Sequence, residues 1–547
     1  MSVSSSGTAD VPAAADIALA YHARTKHSLK RYAAGPETLD WDAQPNPFRE
    51  FAGSPRLHLP LTSDRLAVSF AEACDATAPV QPLTIDGVAL LLELSFGLAA
   101  WKELGPDRWA LRCNPSSGNL HPTEAYVIAE NVPGLSDGLH HYVSRDHALE
   151  QRCRRGRTSP GEPRLWLALS SIHWREAWKY GERAFRYCQL DLGHAIGAVS
   201  YAAAALGWSA HVIDGIDSAQ LAALMGLDRA DDFAGVETED ADVLLAIVPR
   251  DARSRPPTAL PSPAKIDDSW KGQANRLDRH PLYRWPVIPE VSTATAGAAQ
   301  DAVSVPSQCP PLPRRSGARA AELILSRRSA QRFDARFTMD LAAFLHLLDA
   351  LLPRAAPPWT AWPFAPRLHP LLFVHRVDGL TPGLYALPRN GEAESSLRRA
   401  LRPDFDWQHV ERAADHLPLF RLLPTDSRGV IRTASCHQAI AGDSCFAMAM
   451  LAEFTPAVSD HPWRYRQLHW EAGLIGHVLY LEAEAAGLRG TGIGCFFDDS
   501  VHEMLGVVAA DFQTLYHFTV GRALTDDRIT TLAAYPGRTR NEAGDLR

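Results

Sequence analysis

The sequence predicts a mixed α+β protein in which one domain occurs twice. Four motifs recur in the same order in the two parts of the 547-residue chain. Each part mixes amphipathic helical patterns with short apolar strands, and a proline-rich stretch separates the two. The period of roughly 270 residues is too long for a solenoid repeat, so it indicates a duplicated domain.

The four motif pairs differ in length but keep their order and their neighbours. In the first pair the pattern is basic, basic, Ser, two variable residues, Arg and an aromatic residue. The pairs are Lys26–Tyr32 with Arg327–Phe333, Thr84-x-Asp86 with Thr338-x-Asp340, Leu120-His121-Pro122 with Leu368-His369-Pro370, and Tyr187-x-Gln189-Leu190 with Tyr465-x-Gln467-Leu468.

Local periodicity predicts the main elements of each part. Two predicted helices are rich in Gly and Ala, and we expect them to pack against each other as the spine of an internal pseudo-dimer. The predicted helices are Gly87–Lys102, Leu190–Leu206, Ala342–Leu352 and Glu471–Ala486, and the predicted strands are Ala125–Ala129, Leu165–Ser170, Val243–Val248, Leu371–Val374 and Tyr516–Val520.

Composition shifts predict the domain boundaries. We expect a disordered tail at 1–20, a first domain at 21–250, a Pro-rich linker at 251–317 and a second domain at 318–547. The linker contains Trp270, Tyr283 and Trp285, so part of it should dock on the body of the protein. The prolines between Asp40 and Pro60 predict an extended arm instead of a helix.

Composition also excludes several classes of function. The net charge of −8 is spread without long basic runs, which argues against nucleic acid binding. The longest apolar run, Val88–Trp101, is interrupted by Glu93 and is too short for a membrane span. The first 15 residues do not resemble a signal peptide. Eight scattered cysteines with no metal-ligand spacing predict reduced thiols in a cytoplasmic protein without a metal.

Four segments carry candidate chemistry. Arg327-Arg328-Ser329 could clamp a phosphate through charge-assisted hydrogen bonds, or could be a solvated basic turn. Asn114–Asn119 is a polar turn that could hydrogen-bond a flat ring or simply cap the chain. Gly490–Asp499 has three alternate glycines that permit close backbone approach, without a Walker or Rossmann spacing. In Trp178-Lys179-Tyr180, burial would lower the pKa of the lysine and make it a base; the alternative is a surface lysine lying along tryptophans.

Together these motifs resemble the nitroreductase superfamily of flavin enzymes. Within it, the string from Asn114 to Tyr126, the Lys179-Tyr180 pair and Gly490–Asp499 resemble the dehydrogenases of thiazole/oxazole-modified peptide biosynthesis. The resemblance implies a three-layer α+β sandwich in each half, with a mainly antiparallel sheet flanked by helices. It also implies FMN bound where the two halves meet, as at the interface of a dimer; further homodimerisation is left open.

The resemblance assigns roles to individual residues. Lys179 and Tyr180 would be catalytic. One cofactor site would combine the two halves, whereas its twin would be degenerate, because Lys26–Ser28 would face Phe364–Leu368, which lacks the serines and the asparagine. The residues implied in FMN binding are Arg327, Arg328, Ser329, Gln331, Ser116, Ser117, Asn119, Gly492, Ile493, Gly494 and Arg528.

One residue departs from the family pattern. Gln331 stands where the family usually has Arg or Lys near the flavin, and a neutral amide stabilises a reduced anionic flavin less than a cation does. This departure bears on the redox potential of the flavin and on the direction of electron flow.

The leading functional hypothesis is an FMN-dependent dehydrogenase or oxidase. It would act on a heterocycle such as a peptide azoline, with reoxidation of the flavin by dioxygen. The partners would be a small-molecule or peptide substrate and a peptide-modifying cyclase complex. An NAD(P)H-dependent nitro, quinone or ene reductase and a catalytically silent scaffold are the alternatives.

Overall fold

The computed structural model describes residues 13–155, 161–250, 260–261, 269–298, 309–312, 317–507 and 510–538. The helices are α1 (Ala14–Arg24), α2 (Phe70–Cys74), α3 (Ile85–Ser95), α4 (His173–Tyr180), α5 (Ala184–Ala205), α6 (Ser218–Met225), α7 (Val287–Ala294), α8 (Ala320–Ser326), α9 (Leu341–Asp349), α10 (Ala393–Ala400), α11 (Arg428–Ala434), α12 (Ala439–Asp443), α13 (Thr455–Asp460), α14 (Arg464–Ala485) and α15 (Asp498–Leu505).

The strands of the first half are β1 (Phe51–Ala52), β2 (Arg56–His58), β3 (Leu98–Leu104), β4 (Asp107–Arg112), β5 (Thr123–Glu130), β6 (Gly138–Val143), β7 (Ala148–Arg154), β8 (Arg164–Ser171), β9 (Trp208–Val212) and β10 (Asp240–Pro249). The later strands are β11 (Ser269–Trp270), β12 (Gln273–Ala274), β13 (Leu368–Val374), β14 (Gly383–Ala386), β15 (Gln408–His409), β16 (Phe420–Pro424), β17 (Phe446–Glu453), β18 (Arg489–Ile493), β19 (Phe512–Gly521) and β20 (Thr530–Leu532).

Each half is built on one antiparallel sheet, and the two sheets share a topology. The first sheet runs β11-β7-β6-β5-β8-β10-β9 and the second β15-β16-β14-β13-β17-β19-β18. The five strands β6-β5-β8-β10-β9 therefore match β14-β13-β17-β19-β18 in both spatial order and chain order. This match confirms the predicted duplication of an α+β domain.

Helices cover both faces of each sheet. The largest apolar cluster runs through both halves and contains the buried faces of α5 and α14. On the outer faces, α6 packs on β10 and α15 on β19, and each encloses a separate apolar cluster. The strands β5 and β19 are buried along their whole length, as strands between two helical layers must be. The three-layer sandwich that the resemblance implied is confirmed.

The predicted spine of two small-residue helices is confirmed. A Cβ atom added to Gly193 of α5 would lie 2.1 Å from the carbonyl oxygen of Trp470, and one added to Gly473 of α14 would lie 2.1 Å from that of Leu190. The two backbones are therefore in direct contact, which only glycine permits at these positions.

One predicted helix ends early. The Gly87–Lys102 prediction is wrong beyond Ser95, where α3 ends, because β3 begins at Leu98. A Cβ atom on Gly97 would lie 2.4 Å from the carbonyl oxygen of Glu93, so the chain turns tightly there. A continuous apolar run does not distinguish a buried helix from a buried strand.

The N-terminal and linker predictions need correction. Residues 14–20 of the predicted disordered tail are helical, because α1 begins at Ala14 and buries Ala18 and Tyr21; residues 1–12 lie outside the described residues. The predicted linker contains α7, whose Ser292 carbonyl accepts a hydrogen bond from Arg466 at 2.8 Å. Residues 251–259, 262–268, 299–308 and 313–316 are not described.

The aromatic residues of the linker dock as predicted. A Cβ atom on Gly226 would lie 2.1 Å from the Trp270 ring, and β11 pairs with β7. Trp285 packs against the largest apolar cluster, and the Tyr283 hydroxyl accepts a hydrogen bond from Glu37 N–H at 3.2 Å. The arm at 40–60 is mostly extended, with one short 3₁₀ turn at Trp41–Ala43.

The first motif pair is not a structural pair. The pseudo-two-fold axis relates α8 to α2, because Phe70 N–H donates to the Ala318 carbonyl at 2.8 Å and Ala320 N–H donates to the Val68 carbonyl at 2.9 Å. In this register the counterpart of Arg327–Ser329 is Thr77–Pro79 and not Lys26–Ser28. The cationic motif belongs to the second half alone.

The C-terminal segment crosses from the second half to the first. The strand β20 pairs with β3, which is hydrogen-bonded to β4. Trp101 Nε1 donates to the Ala534 carbonyl at 3.0 Å, and Leu98 N–H donates to the Tyr535 hydroxyl at 2.8 Å. The two halves are therefore interlocked and not merely adjacent.

We expect Gly193→Ala to destabilise the protein by about 1–3 kcal/mol, because the methyl group would force α5 and α14 apart. The matched control is Gly429→Ala in α11, where a Cβ atom meets nothing within 4 Å and helix propensity favours alanine. Urea unfolding followed by circular dichroism compares the two. Equal unfolding midpoints for both variants would contradict the direct backbone contact.

Candidate active site

A cavity of about 500 Å³ lies between the two halves. The first half contributes β3, β4, the turn before β5 and α5, and the second half contributes the chain after α8, β18 and the segment before β20. Eleven of the residues proposed from the sequence line it, namely Ser116, Ser117, Asn119, Tyr180, Arg327, Arg328, Ser329, Gln331, Gly492, Ile493 and Gly494.

Arg327 has an unsatisfied guanidinium at the wall of this cavity. The residue is only 5% exposed. Its Nε donates to the Cys113 carbonyl at 3.3 Å, and its guanidinium lies 5.0 Å from the centre of the Tyr480 ring. Nη1 has no hydrogen-bond partner. Burial lowers the pKa of Arg327, so the charge at this position is costly without an anion.

Three more cations lie around Arg327. Arg328 donates from Nη1 to the carbonyls of Leu325 and Arg327 at 2.8 and 2.7 Å, and burial together with Arg327 lowers its pKa to about 10. Lys102 and Arg489 also line the cavity. Burial, Arg328 and Arg489 lower the pKa of Lys102. This end of the cavity is therefore suited to a multiply charged anion.

Sequence reasoning missed Lys102 and Arg489. The sequence pattern placed Lys102 at the end of the predicted helix Gly87–Lys102, but Lys102 lies in β3. Arg489 directly precedes the glycine segment, and this position in the sequence could have identified it as a residue of the cavity. The nearby acid is Glu484, which accepts from Arg328 N–H at 3.0 Å and lies 3.4 Å from Arg489 Nε.

The glycines of β18 and the following residues face tyrosines. A Cβ atom on Gly492 would lie 1.7 Å from the Tyr516 hydroxyl, and one on Gly494 would lie 2.1 Å from Cε1 of Tyr187. Gly492 N–H donates to the Tyr480 hydroxyl at 3.0 Å, which lies 2.8 Å from Ser329 Oγ. The glycine alternation thus makes room for the aromatic wall of the cavity.

The polar turn before β5 is held by its own side chains. Gly118, Asn119 and His121 all have positive φ. Ser116 Oγ accepts from His121 N–H at 2.8 Å, and Asn119 Nδ2 donates to the Ala110 carbonyl at 2.9 Å. These bonds fix the shape of the turn at the cavity wall.

Asp191 is a buried acid beneath this turn that the sequence analysis did not single out. It accepts from Ser117 N–H and from Ser117 Oγ at 2.9 and 2.8 Å. Burial raises its pKa to about 7, although the Ser117 bonds oppose the rise. Glu176 is also buried, neither of its carboxyl oxygens has a hydrogen-bond partner, and burial and Asp191 raise its pKa well above the usual value. The sequence signal that could have identified Asp191 was an acidic residue in a helix rich in small and apolar residues.

Lys179 and Tyr180 end α4 beside the turn. A Cβ atom on Gly118 would lie 2.5 Å from the Tyr180 hydroxyl and 3.2 Å from Lys179 Nζ. Lys179 Nζ lies 5.3 Å from the centre of the Trp41 ring, and burial lowers the pKa of this lysine. Tyr180 lines the cavity, and Lys179 lies next to its wall.

Arg528 is not brought to the cavity. Its side chain is 78% exposed and forms an ion pair with Asp526 at 2.7 Å, so the assignment of Arg528 needs correction. Asp526 and Ile529 line the cavity instead. Gln331 lines both this cavity and a neighbouring one of about 480 Å³, whose wall includes Arg332.

The position related by the pseudo-two-fold axis is filled by protein. There β9, the counterpart of β18, packs directly on the 3₁₀ turn Trp359–Ala361, which precedes β13 as the polar turn precedes β5. Trp359 of that turn is buried, and its indole donates to the Ala350 carbonyl at 2.9 Å. The two positions therefore differ in the packing of the strand against the turn as well as in the missing cations.

Comparison with known proteins agrees with this fold. Residues 103–236 match the Nitroreductase family. The first half contains a nitroreductase-family domain. The chain is 25% identical over 137 residues to the Methanocaldococcus jannaschii protein named "Putative nitroreductase MJ1384"; the match covers 23% of this chain and 66% of that protein, just under two thirds of its length.

Two solved structures extend the comparison. A structure described as a "putative nitroreductase" from Anabaena variabilis matches 93% of this chain and 99% of its own at 22% identity, with a TM-score of 0.66, so its single chain shares the fold of both halves. A chain of the E. coli microcin synthetase McbBCD complex with truncated pro-MccB17 bound matches 45% of this chain and 85% of its own at 20% identity, with a TM-score of 0.25. Within the described ranges no helix could cross a membrane.

We expect Asp191→Asn to gain stability relative to the wild type as pH rises from 5 to 6.5. The ordinary pKa of this carboxyl is 3.8 and the folded value is about 7, so over this window the folded protein keeps a proton that the unfolded chain has lost. The stabilisation by that proton is complete below the unfolded pKa and is lost as pH rises through the folded pKa.

The variant cannot titrate at this position. The difference in free energy of unfolding should therefore change by up to about 1.4 kcal/mol per pH unit. Urea titrations of both proteins at several pH values measure this difference. A difference that does not depend on pH would show that Asp191 has an ordinary pKa in the folded protein.

Proposed function

We propose that this protein is an FMN-dependent oxidoreductase with one cofactor site in the cavity between its halves. The buried, unpartnered Nη1 of Arg327 is the observation that carries the proposal, because a guanidinium this deeply buried needs an anion to offset its desolvation. The nitroreductase-family match of residues 103–236 supports a flavin as the group that supplies the anion.

The residues present fit FMN. Arg327, Arg328, Lys102 and Arg489 form a cationic end that suits its phosphate. The remaining wall offers tyrosine rings, the polar turn and the glycine segment, which suit a flat heteroaromatic ring with polar edges. We therefore assign the cofactor to the residues proposed from the sequence, without Arg528 and with Lys102 and Arg489 added.

Lys179 is the proposed base. Its ammonium is half-buried against Trp41, and burial lowers its pKa, so a larger fraction is neutral near pH 7 and able to accept a proton. Bound FMN would supply the electron-accepting chemistry, namely uptake of a hydride equivalent from the substrate and reoxidation by dioxygen. Tyr180 holds a neutral hydroxyl at the cavity wall, because burial raises its pKa, and it would orient the substrate beside Lys179.

We propose a heterocycle, such as a peptide azoline oxidised to an azole, as the substrate. The support is the similarity of Asn114–Tyr126, Lys179-Tyr180 and Gly490–Asp499 to the dehydrogenases of peptide-modifying pathways. A cyclase complex would then supply the azoline. The neighbouring cavity, which shares Gln331, Gln438 and Leu524 with the first, provides room for a substrate longer than one ring.

We expect Arg327→Gln to weaken FMN binding about ten- to a hundred-fold, the loss of one charge-assisted hydrogen bond to a buried anion. Arg528→Gln is the matched control and should change the affinity less than about three-fold, because Arg528 points to solvent. Fluorescence titration of apoprotein with FMN gives both dissociation constants. Equal losses in the two variants would contradict the assignment of the phosphate end.

We expect Lys179→Ala to lower turnover of a thiazoline-containing peptide at least about a hundred-fold, the contribution of one general base, with FMN affinity unchanged. The control is Lys30→Ala, a lysine on the surface. Oxygen consumption and absorbance of the azole product measure turnover.

Two results would redirect the proposal. Full turnover in Lys179→Ala would remove the proposed base. Rapid reduction of the bound flavin by NADPH, with no oxidation of the thiazoline peptide, would favour the reductase.

A further inference from the structure

Two cysteines of the second half lie almost within bonding distance beside the cavity. Sγ of Cys495 and Sγ of Cys436 are 2.8 Å apart. Cys495 follows Gly494 and lines the cavity, and Cys436 follows α11. A disulfide bond is about 2.05 Å long, so a movement of roughly 0.8 Å would join them. Both residues are half-buried, so a small reagent can reach the pair.

The backbone at Cys436 is unusual. Cys436 and His437 are consecutive non-glycine residues with φ of +52° and +61°. Left-handed conformations at such residues cost free energy and persist where the surrounding structure imposes them. Gln438 Nε2 donates to the Cys495 carbonyl at 3.1 Å, which ties this loop to the segment after β18. The strained loop therefore holds one thiol against the other.

The surroundings of Cys495 favour its thiolate. Ala33 N–H donates to His27 Nδ1 at 2.8 Å, so the neutral imidazole carries its proton on Nε2. Hydrogen bonds from Cys436 and His27, together with Arg183, lower the pKa of Cys495, whereas burial opposes the shift. Arg183 also donates to the Gly494 carbonyl at 3.2 Å.

The remaining charges near the pair are mutually bound. Asp498 accepts from Arg183 and Arg186 at 2.9 and 2.7 Å, and its Oδ2 also accepts from His27 N–H at 2.9 Å. The Tyr32 ring lies 5.7 Å from that of Phe497. Two arginines thus share one carboxylate, and the local charge around Cys495 is positive, as for reactive thiolates.

We propose that Cys495 and Cys436 form a redox-active thiol pair that reacts with small disulfides of the glutathione type. The Cys495 thiolate attacks one sulfur of the disulfide, the S–S bond breaks, and one thiol leaves with a proton. Cys436 then attacks the Cys495 sulfur and loses its own proton, and the second thiol leaves. The two protein sulfurs lose two electrons and the small disulfide is reduced to two thiols.

This reaction needs no cofactor, so it is independent of the proposed oxidoreductase activity. The test uses the full-length protein, reduced and then incubated with oxidised glutathione, with peptide mapping by mass spectrometry without reductant. The expected product is a Cys436–Cys495 disulfide. In Cys436→Ser the mixed disulfide should accumulate on Cys495. In Cys495→Ser the adduct on Cys436 should form at least about ten-fold more slowly than the adduct on Cys495 does in Cys436→Ser. Cys309→Ser is the control and should behave as the wild type.

A second measurement does not depend on the variants folding. In reduced wild-type protein at pH 7, iodoacetamide should label Cys495 about ten-fold or more faster than Cys436. Equal labelling rates, a disulfide between Cys495 and any other cysteine, or no linkage at any ratio of oxidised to reduced glutathione would overturn the proposal.

Discussion

The direct contact between the backbones of α5 and α14 determines the rest of this structure. Gly193 and Gly473 let the two helix backbones touch, because no side chain lies between the helices at these positions. The separation of the two sheets is set by this approach, and so is the width of the cavity whose walls come from both halves. The crossing of β20 onto β3 adds a second tie at the edge of the same cavity. Fusion of both halves in one chain makes this geometry independent of protein concentration.

Duplication in one chain also allows the two related positions to diverge. In a homodimer both sites must have the same residues, but here each half can change alone. One position keeps four cations and a cavity. The other has Thr77–Pro79 in place of Arg327–Ser329, and there β9 packs directly on the 3₁₀ turn Trp359–Ala361. At that position the strand and the turn pack on each other, whereas at the cavity the glycines of β18 make room for tyrosine rings.

Much of the fold follows from the sequence, because small-residue helices and fully buried strands have clear patterns. The spine, the shared topology and the docked linker aromatics were predictable in this way. The end of α3 was not, since an apolar run such as Val88–Trp101 fits a helix or a strand equally well. The pairing of Lys26–Ser28 with Arg327–Ser329 failed for another reason. A short basic motif can match by composition, whereas the true counterpart, α2, has lost the cationic residues.

The site was predictable where a motif contributes adjacent residues and unpredictable where the fold assembles distant ones. Arg327, Ser117 and Gly492 lie in recognisable motifs. Lys102 lies in β3, which pairs with the crossing strand β20, and Asp191 lies in α5, which passes beneath the polar turn. Arg528 was assigned by its position in the sequence, yet its neighbour Asp526 holds it in solvent.

The central claim is a single composite cofactor site per chain. Its most direct test is the amount of FMN released from purified, FMN-saturated protein, divided by the amount of chain. The account predicts one FMN per chain, because the cavity of about 500 Å³ and its four cations lie at one of the two related positions. Two FMN per chain would show that the related position still binds, and none after saturation would show that the cationic cavity serves another purpose.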